Sequence, residues 1–281
     1  MNGQRMMSGR HGPTMSIVDV QRRLRAARIA LGVRQRALDR EREVVSWLRQ
    51  AAAPVPAGPA EINGVRLAVR HRAADSHAQV GGDWCDWRLL PGKRLLLAVG
   101  DAVGHGLPAA GTMLRVRHAV AALAASGLAP QRVLTAVNSL LYDGEKVGSP
   151  TDMATALVAI YDFAARQLSW ASAGHPPIVF ADAVGAAWTG THPRGPMLGA
   201  CAEASYEPAS APLSRGETVL LYTDGFVEAR QSRIDEGIDA LVATMRCAAN
   251  GSDGGLRDTL ARLDPRNPDD DACLLAAHVV S

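Results

Sequence analysis

A predicted β-hairpin in the middle of the chain limits the possible folds more than any other feature. Ala154–Asp162 and Gln167–Ala173 are apolar runs typical of strands, and the short segment Phe163–Arg166 between them can form a turn. Strands joined by so short a connection must pair antiparallel, because a parallel pair needs a crossover of a dozen or more residues. The hairpin therefore argues against a regularly alternating βα chain around a parallel sheet.

Further strands and helices are predicted on both sides of the hairpin. Short apolar runs typical of strands are Val65–His71, Arg94–Val99, Pro177–Ala181, Thr218–Tyr222 and Ala272–Val280. Helical patterns cover Leu107–Ser126, Pro130–Leu141, Arg233–Ala248 and Gly255–Leu263. Strands grouped with turns and followed by pairs of helices predict an α+β fold, in which helices cover antiparallel sheets.

The N-terminal part of the chain has a different pattern. Residues 1–15 show no hydrophobic periodicity and are predicted to be a disordered lead-in. Residues 16–52 are predicted to form a long helix, because apolar residues recur every seven positions. These are Ile17, Leu24, Leu31, Leu38 and Val45. A second row, three residues further along, is apolar only at its ends. The helix is therefore expected either to pack along its own domain or to form a dimer or relay a signal. An Ala- and Pro-rich stretch ends it, and the main domain is expected over residues 62–281.

Composition excludes several classes of protein. A chain of 281 residues with 47% hydrophobic and 21% charged residues is typical of a globular protein. The net charge of +2 and the aromatic content of 4% do not support nucleic acid as a partner. The four cysteines form no CxxC pair, so neither a zinc site nor a disulfide framework is predicted. Neither a signal peptide nor a membrane helix is predicted, and a cytoplasmic protein is expected.

Four short acidic motifs are predicted to lie at the ends of strands. They are Gly81–Asp86 (GGDWCD), Gly100–Gly106 (GDAVGHG), Tyr222–Gly225 (YTDG) and Asp269–Asp271 (DDD). A carboxylate beside glycines at a strand end is exposed by a sharp turn while the strand holds it rigidly. Several carboxylates that converge repel one another unless a cation neutralises them or some are protonated. All the candidate ligands are oxygen donors, so the expected cations are Mg²⁺ or Mn²⁺.

This set of carboxylates suggests hydrolysis of a phosphate ester. Two ions roughly 3.5–4 Å apart and bridged by one carboxylate can bind a phosphate and activate a water for in-line attack. The candidate site residues are Asp83, Asp101, Asp224 and one of the acidic residues around Asp270. Each motif alone is more often a turn than a metal ligand, so the prediction depends on their joint occurrence.

The motifs also match a known protein family in their order along the chain. The matching segments are Gly81–Asp83, Gly100–Gly106, Ala173–Pro177, Tyr222–Gly225 and Asp270–Ala272. From about Gly64 to Val280 the chain resembles the PPM-type serine/threonine phosphatases, and more narrowly the bacterial SpoIIE/RsbU branch. The resemblance implies a four-layer α-β-β-α sandwich, two Mn²⁺ or Mg²⁺ ions, and phosphoserine or phosphothreonine on a protein as substrate. Within this branch the substrates are typically anti-anti-sigma (STAS) proteins of sigma-factor partner-switching pathways.

The resemblance also implies a role for each site residue. Asp101 matches the carboxylate that bridges both metals, and Ala102 matches a position that contributes only its backbone carbonyl. Asp224 matches a ligand of one metal. Asp83 matches an acidic residue at the rim of the metal site.

The last motif departs from the family pattern and leaves its register open. The pattern aligns the ligand with Asp270 and leaves Asp271 beside it, while Asp269 is a less favoured alternative. Cys273 stands where Thr or Ser is usual, and Cys85 stands where an aromatic residue is usual. Neither cysteine position donates a ligand, so altered packing is expected rather than lost activity.

Three other polar residues near the motifs have less specific interpretations. His105 is a candidate proton donor to the leaving oxygen, but a histidine in a Gly-His-Gly turn more often caps or braces the turn. His175, which precedes two prolines, is predicted to be structural. Asp86 either accepts from a metal-bound water in the outer shell or caps a turn, and the sequence does not choose between these roles.

The predicted function is therefore metal-dependent hydrolysis of a phosphorylated regulatory protein, with a possible homodimer formed through the N-terminal helix. One alternative is a catalytically weak, phosphatase-like module that binds its phosphorylated partner. Another is a phosphoacceptor receiver domain, which also clusters aspartates on strands. The receiver fold requires regularly alternating strands and helices, which the predicted hairpin contradicts.

Overall fold

A computed structural model describes residues 25, 27–36, 60–72, 81–142, 152–229, 232–249, 260–267 and 270–280. The chain divides into two compact units, Met1–Ser46 and Trp47–Ser281, and each is described by itself. In the first unit residues 27–36 are helical, and the heptad residue Leu31 is 70% exposed. The predicted lead-in 1–15, the rest of the predicted helix 16–52 and its boundary with the main domain lie outside the described residues.

The second unit contains strands and helices in the following order along the chain. They are β1 (Ala60–Ile62), β2 (Val65–Arg72), β3 (Trp84–Leu90), β4 (Arg94–Ala102), α1 (Gly106–Ala125), α2 (Pro130–Leu141), β5 (Ala154–Asp162), β6 (Gln167–Ala173), β7 (Val179–Ala181), β8 (Ala187–Thr189), β9 (Ala209–Pro212), β10 (Thr218–Tyr222), a 3₁₀ turn (Asp224–Phe226), α3 (Ile234–Ala249) and β11 (Ala272–Val279).

These strands form two antiparallel sheets. Among the described residues, sheet A has the strand order β1-β2-β11-β10-β7-β8, and sheet B has the order β3-β4-β5-β6-β9. Every neighbouring pair in sheet B is antiparallel as well. The chain moves between the sheets several times, so residues distant in sequence meet where the two sheets face each other.

The main hydrophobic core lies between the two sheets. Successive side chains of a strand point to opposite faces, and alternate residues of both sheets are completely buried against each other. Residues of this core include Val65, Leu67, Cys85, Leu95, Leu97, Val99, Leu157, Trp170, Val219, Leu221, Cys273 and Leu275. The opposite face of sheet A packs against α3 through a second cluster, and α1 and α2 pack on the outer face of sheet B. The result is the expected four-layer α-β-β-α sandwich.

The central hairpin and the long strands match the sequence predictions closely. Strands β5 and β6 have the predicted bounds, and Asp162 Oδ1 stabilises their turn by accepting the backbone N–H groups of Ala164 and Ala165. Four strands were not predicted, namely β1, β3, β8 and β9. Because β3 begins at Trp84, the first acidic motif lies at the start of a strand rather than at its end.

Among the described residues, no helix combines the length and the apolar character needed to span a lipid bilayer.

Candidate metal centre

Three of the predicted aspartates meet at one end of the space between the sheets. Asp83 directly precedes β3, and Asp101 lies near the end of the adjacent strand β4, where Trp84 pairs with Gly100. Asp224 follows β10 of the opposite sheet. One carboxylate oxygen from each residue lies within 4.8 Å of the others. Asp83 and Asp224 are 141 positions apart in the sequence. The two sheets thus bring together carboxylates from distant parts of the chain.

Glycines allow the loops to approach the carboxylates closely. A Cβ atom on Gly82 would lie 2.3 Å from the backbone oxygen of Ala102 and 2.6 Å from Oδ1 of Asp101. A Cβ atom on Gly225 would lie 2.2 Å from the backbone oxygen of Asp271. A Cβ atom does not fit at these separations, so only glycine can occupy positions 82 and 225 without displacing the neighbouring atoms. The carbonyl oxygen of Ala102 and Oδ1 of Asp101 therefore both lie against Gly82.

Thr223 orients Asp83 from the opposite sheet. Its hydroxyl group donates a hydrogen bond of 2.6 Å to Oδ2 of Asp83 and accepts one of 2.9 Å from the backbone N–H of Cys273. The backbone N–H of Thr223 in turn donates to the carbonyl oxygen of Cys273. Thr223 is completely buried, so these bonds are shielded from water. Sequence reasoning missed this role, although the position of Thr223 between a buried strand and Asp224 is a signal that could have indicated it.

Burial and mutual repulsion raise the pKa values of the clustered carboxyl groups. Burial is the largest cause for Asp83, whose pKa rises well above its ordinary value, and for Asp101, whose pKa rises to about 7. Repulsion from Asp101 adds to the rise at Asp83, and repulsion from Asp224 adds to it at Asp101. Asp83 and Asp101 also share a hydrogen bond that raises the pKa of Asp83 and lowers that of Asp101.

Asp224 and the last acidic motif add further negative charge. Burial raises the pKa of Asp224 to about 6, and the nearby carboxylates of Asp270 and Glu228 contribute to the rise. Asp270 also raises the pKa of Asp101, as Asp271 does more weakly. The charge of Asp270 thus acts on both Asp101 and Asp224, but Asp270 is exposed and is not part of the cluster of three aspartates. Its Oδ1 accepts the backbone N–H of Asp271. Asp269 lies outside the described residues.

The donor set fits a hard divalent cation. All candidate ligand atoms are carboxylate or carbonyl oxygens, which Mg²⁺ and Mn²⁺ prefer. Carboxylates held this close raise one another's pKa values, and a bound cation would remove that repulsion. The geometry therefore matches the chemistry that the sequence motifs predict.

Comparison with known proteins identifies the family. The model of the family described as Stage II sporulation protein E (SpoIIE) matches residues 91–280, more than half of the chain. The chain belongs to the SpoIIE family.

Two curated relatives come from Bacillus subtilis (strain 168). The phosphoserine phosphatase RsbU is 27% identical over 153 residues, which cover 54% of this chain and 44% of RsbU. The phosphoserine phosphatase RsbP is 23% identical over 158 residues, which cover 55% of this chain and 38% of RsbP. The chain thus spans less than half the length of the curated relatives it matches.

Solved structures of the SpoIIE type share the fold. The RsbU and RsbW domains of Rv1364c from Mycobacterium tuberculosis align with a TM-score of 0.68 and 29% identity, covering 80% of this chain and 63% of that chain. The PP2C phosphatase domain of SpoIIE from Bacillus subtilis, solved with a fragment of its regulatory domain, aligns with a TM-score of 0.63 and 17% identity, covering 77% and 62%. Because its sequence identity is only 17%, the match to the SpoIIE phosphatase domain supports similarity of fold only.

Asp86 does not have the turn-capping role that was one of the two considered for it. It lies inside β3 and caps no turn. Its Oδ2 atom is 2.9 Å from Nε of Arg88 and 3.6 Å from Nε of Arg117 on α1. Asp86 and Arg117 are both 1% exposed. Asp86 is therefore part of a buried ion pair that joins α1 to sheet B, on the face of the sheet opposite to the core.

The two histidines considered as candidates, His105 and His175, occupy different environments. His105 is the N-cap residue of α1, but its side chain makes no capping hydrogen bond and is exposed. His175 is buried, and both of its ring nitrogens have hydrogen-bond partners. The structural role predicted for His175 agrees with this environment.

The raised carboxyl pKa values predict how the stability of the metal-free protein depends on pH. A group whose pKa is raised by folding stabilises the folded state fully below its unfolded pKa of about 3.9, and the contribution is lost as the pH rises through the folded pKa. The folded pKa values are about 7 for Asp101 and about 6 for Asp224. The free energy of unfolding should therefore fall by a few kcal/mol between about pH 5 and about pH 8. Urea unfolding in a buffer with a chelator measures this dependence.

Saturating Mn²⁺ provides the control for this pH dependence. A bound cation neutralises the same carboxylates, so the decrease in stability with pH should become much smaller. Stability that rises over this pH range without metal would contradict the assigned charge cluster.

Proposed function

We propose that this chain hydrolyses phosphoserine or phosphothreonine on a regulatory protein and needs two Mn²⁺ or Mg²⁺ ions to do so. The observation that carries the proposal is the meeting of Asp83, Asp101 and Asp224 within 4.8 Å in a chain of the SpoIIE family. The relatives named phosphoserine phosphatases support the reaction type.

Each residue of the centre would have a separate task. Asp101 would bridge the two cations, with the carbonyl of Ala102 beside it, while Asp224 and Asp270 would each hold one cation. Asp83 would complete the rim, oriented by the hydroxyl of Thr223. Protons that the raised pKa values leave on these carboxyl groups would be released when the cations bind, because ligand carboxylates must be ionised. Bound cations would supply Lewis-acid activation of a water and neutralise the charge on the phosphoryl oxygens.

A phosphorylated STAS protein is the proposed substrate. The support is the resemblance to the SpoIIE/RsbU branch, whose substrates are typically anti-anti-sigma proteins, together with the RsbU and RsbP relatives. This function would place the chain in a partner-switching pathway, opposite to a kinase that phosphorylates the same serine.

The N-terminal helix is the proposed dimer contact. Among the described helical residues, Leu31 of the heptad row is 70% exposed, so its side chain is accessible to a second chain. Analytical ultracentrifugation of the full chain tests this contact, and a monomer at the highest soluble concentration would contradict it.

Phosphate release from defined substrates tests the proposed activity. The full chain should dephosphorylate phosphoserine and phosphothreonine peptides and a serine-phosphorylated STAS protein with added Mn²⁺, and excess chelator should stop the reaction. The result that would sink the proposal is no release from any of these substrates with either Mn²⁺ or Mg²⁺. Release from the peptides but not from the STAS protein would overturn only the partner assignment.

A further inference from the structure

His175 lies in the connection between β6 and β7 and is not a member of the cluster of three aspartates. Its backbone is fixed by a pair of bonds with Ser172, whose hydroxyl group donates to the carbonyl oxygen of His175 and accepts from its N–H. The residue is 1% exposed. The backbone of His175 is therefore held against the end of strand β6 of sheet B.

Both ring nitrogens of His175 make hydrogen bonds, and these bonds determine its tautomer. Nε2 lies 2.9 Å from the backbone oxygen of Tyr222, which can only accept, so Nε2 carries the proton. Nδ1 is then an acceptor for the hydroxyl group of Thr155, at 2.9 Å. Burial lowers the pKa of His175 to about 4, so the ring is neutral near pH 7.

The two partners of His175 belong to different sheets, and each adjoins a candidate metal ligand. Thr155 in β5 is the register partner of Asp101 in β4. Tyr222 ends β10 of sheet A and is followed by Thr223 and Asp224. The ring thus connects the two sheets at the point where each contributes a carboxylate.

We infer that His175 is a positioning residue that sets the spacing of Asp101 and Asp224 by tying Thr155 to the Tyr222 carbonyl. The inference rests on the proposed function, because spacing matters only if these carboxylates hold cations. Without metal, Asp101 and Asp224 repel each other, and repulsion between groups on opposite sheets pushes the sheets apart at this end. The neutral ring resists this separation without adding charge to the site.

The effect should appear in metal affinity. Outer-shell partners that orient the ligands of a metal site typically change affinity by about 10–100-fold when they are removed. His175 acts through two backbone segments rather than on a carboxylate directly, so the lower end of that range is expected.

Thr155→Val is the primary test, because valine matches threonine in shape and removes only the hydroxyl group. The chain contains a matched control. Thr218 and His278, a register pair of β10 and β11, form a second hydrogen bond between a threonine hydroxyl and Nδ1, also of 2.9 Å. That pair joins two strands of the same sheet, at the opposite end of β10 from Tyr222. Thr218→Val therefore measures the loss of such a bond away from the site.

Calorimetric titration of the full chain with Mn²⁺ measures the effect directly. Thr155→Val should weaken Mn²⁺ binding about tenfold, and His175→Gln, which can reach only one of the two partners, should weaken it at least as much. Thr218→Val should bind Mn²⁺ within about twofold of the wild type. Thermal unfolding without metal should show similar losses of stability for both threonine variants.

The possible results separate the inference from the proposed function. Unchanged Mn²⁺ affinity in Thr155→Val, or equal weakening in Thr155→Val and Thr218→Val, would overturn the positioning role while leaving the metal site in place. A wild-type chain that binds no Mn²⁺ would overturn the proposed function itself, and the inference with it. Weakening confined to Thr155→Val and His175→Gln would support the tie between the sheets.

Discussion

Asp101→Asn is expected to lower Mn²⁺-dependent phosphate release by at least about 10³-fold, which corresponds to roughly 4 kcal/mol of transition-state stabilisation. Asparagine has the same shape as aspartate but lacks its charge and presents one oxygen instead of two. Asp101 is the carboxylate with the most acidic neighbours in the centre, because Asp83, Asp224, Asp270 and Asp271 all act on it. Its loss should therefore affect both cation sites at once.

The same substitution should stabilise the metal-free fold. Ionised Asp101 is destabilised by burial and by its acidic neighbours, and asparagine removes that charge. At about pH 8 the free energy of unfolding without metal should rise by about 1 kcal/mol or more. A variant that loses activity because it misfolds would show the opposite change in stability.

Asp235→Asn is a suitable control for Asp101→Asn. Asp235 lies in the first turn of α3 with a side chain that is 68% exposed, and its ion pair with Arg233 is at the surface. Its substitution should leave phosphate release unchanged. Activity retained in Asp101→Asn at saturating Mn²⁺ would contradict the bridging role.

Gly82→Ala is the second substitution with a large expected effect. The new methyl group would meet the backbone oxygen of Ala102 at 2.3 Å and Oδ1 of Asp101 at 2.6 Å. The first of these atoms is backbone in a central strand, so it cannot move aside without disturbing β4. We expect phosphate release to fall by at least about 10²-fold and the free energy of unfolding to fall by about 1–3 kcal/mol.

Gly111→Ala is the matched control for Gly82→Ala. Gly111 lies within α1, and a Cβ atom there would meet nothing within 4 Å. Alanine is favoured over glycine inside a helix by about 1 kcal/mol, so this variant should keep its activity and gain stability. Equal activity in the two alanine variants would show that Gly82 does not lie against the centre as described.

The parts of the fold that the sequence predicted well are determined by local patterns. The β5–β6 hairpin has two apolar runs and a short turn, and its bounds agree with the structure. Strand β3 was missed because it contains Asp86 and Arg88 in the midst of aromatic and apolar residues. Asp86 is stabilised there by Arg117, which is 31 positions later in the chain, from 86 to 117, and no local pattern reveals that partner.

In the candidate site, too, the residues marked by a local pattern were predictable and those that depend on contacts between the sheets were not. Glycine next to aspartate after an apolar run is a local signal, and it located Asp101 and Asp224. The contributions of Thr223 and His175 depend on hydrogen bonds between the sheets, to Asp83 and to the Tyr222 carbonyl. Such bonds become visible only once the sheets are placed face to face.

Calorimetric titration of the metal-free full chain with Mn²⁺ near neutral pH tests the central claim most directly. We expect two ions per wild-type chain, with protons released on binding, and at most one weakly bound ion in Asp101→Asn. Absence of binding by the wild type, or the same stoichiometry and affinity in Asp101→Asn, would contradict a two-ion centre built on Asp101.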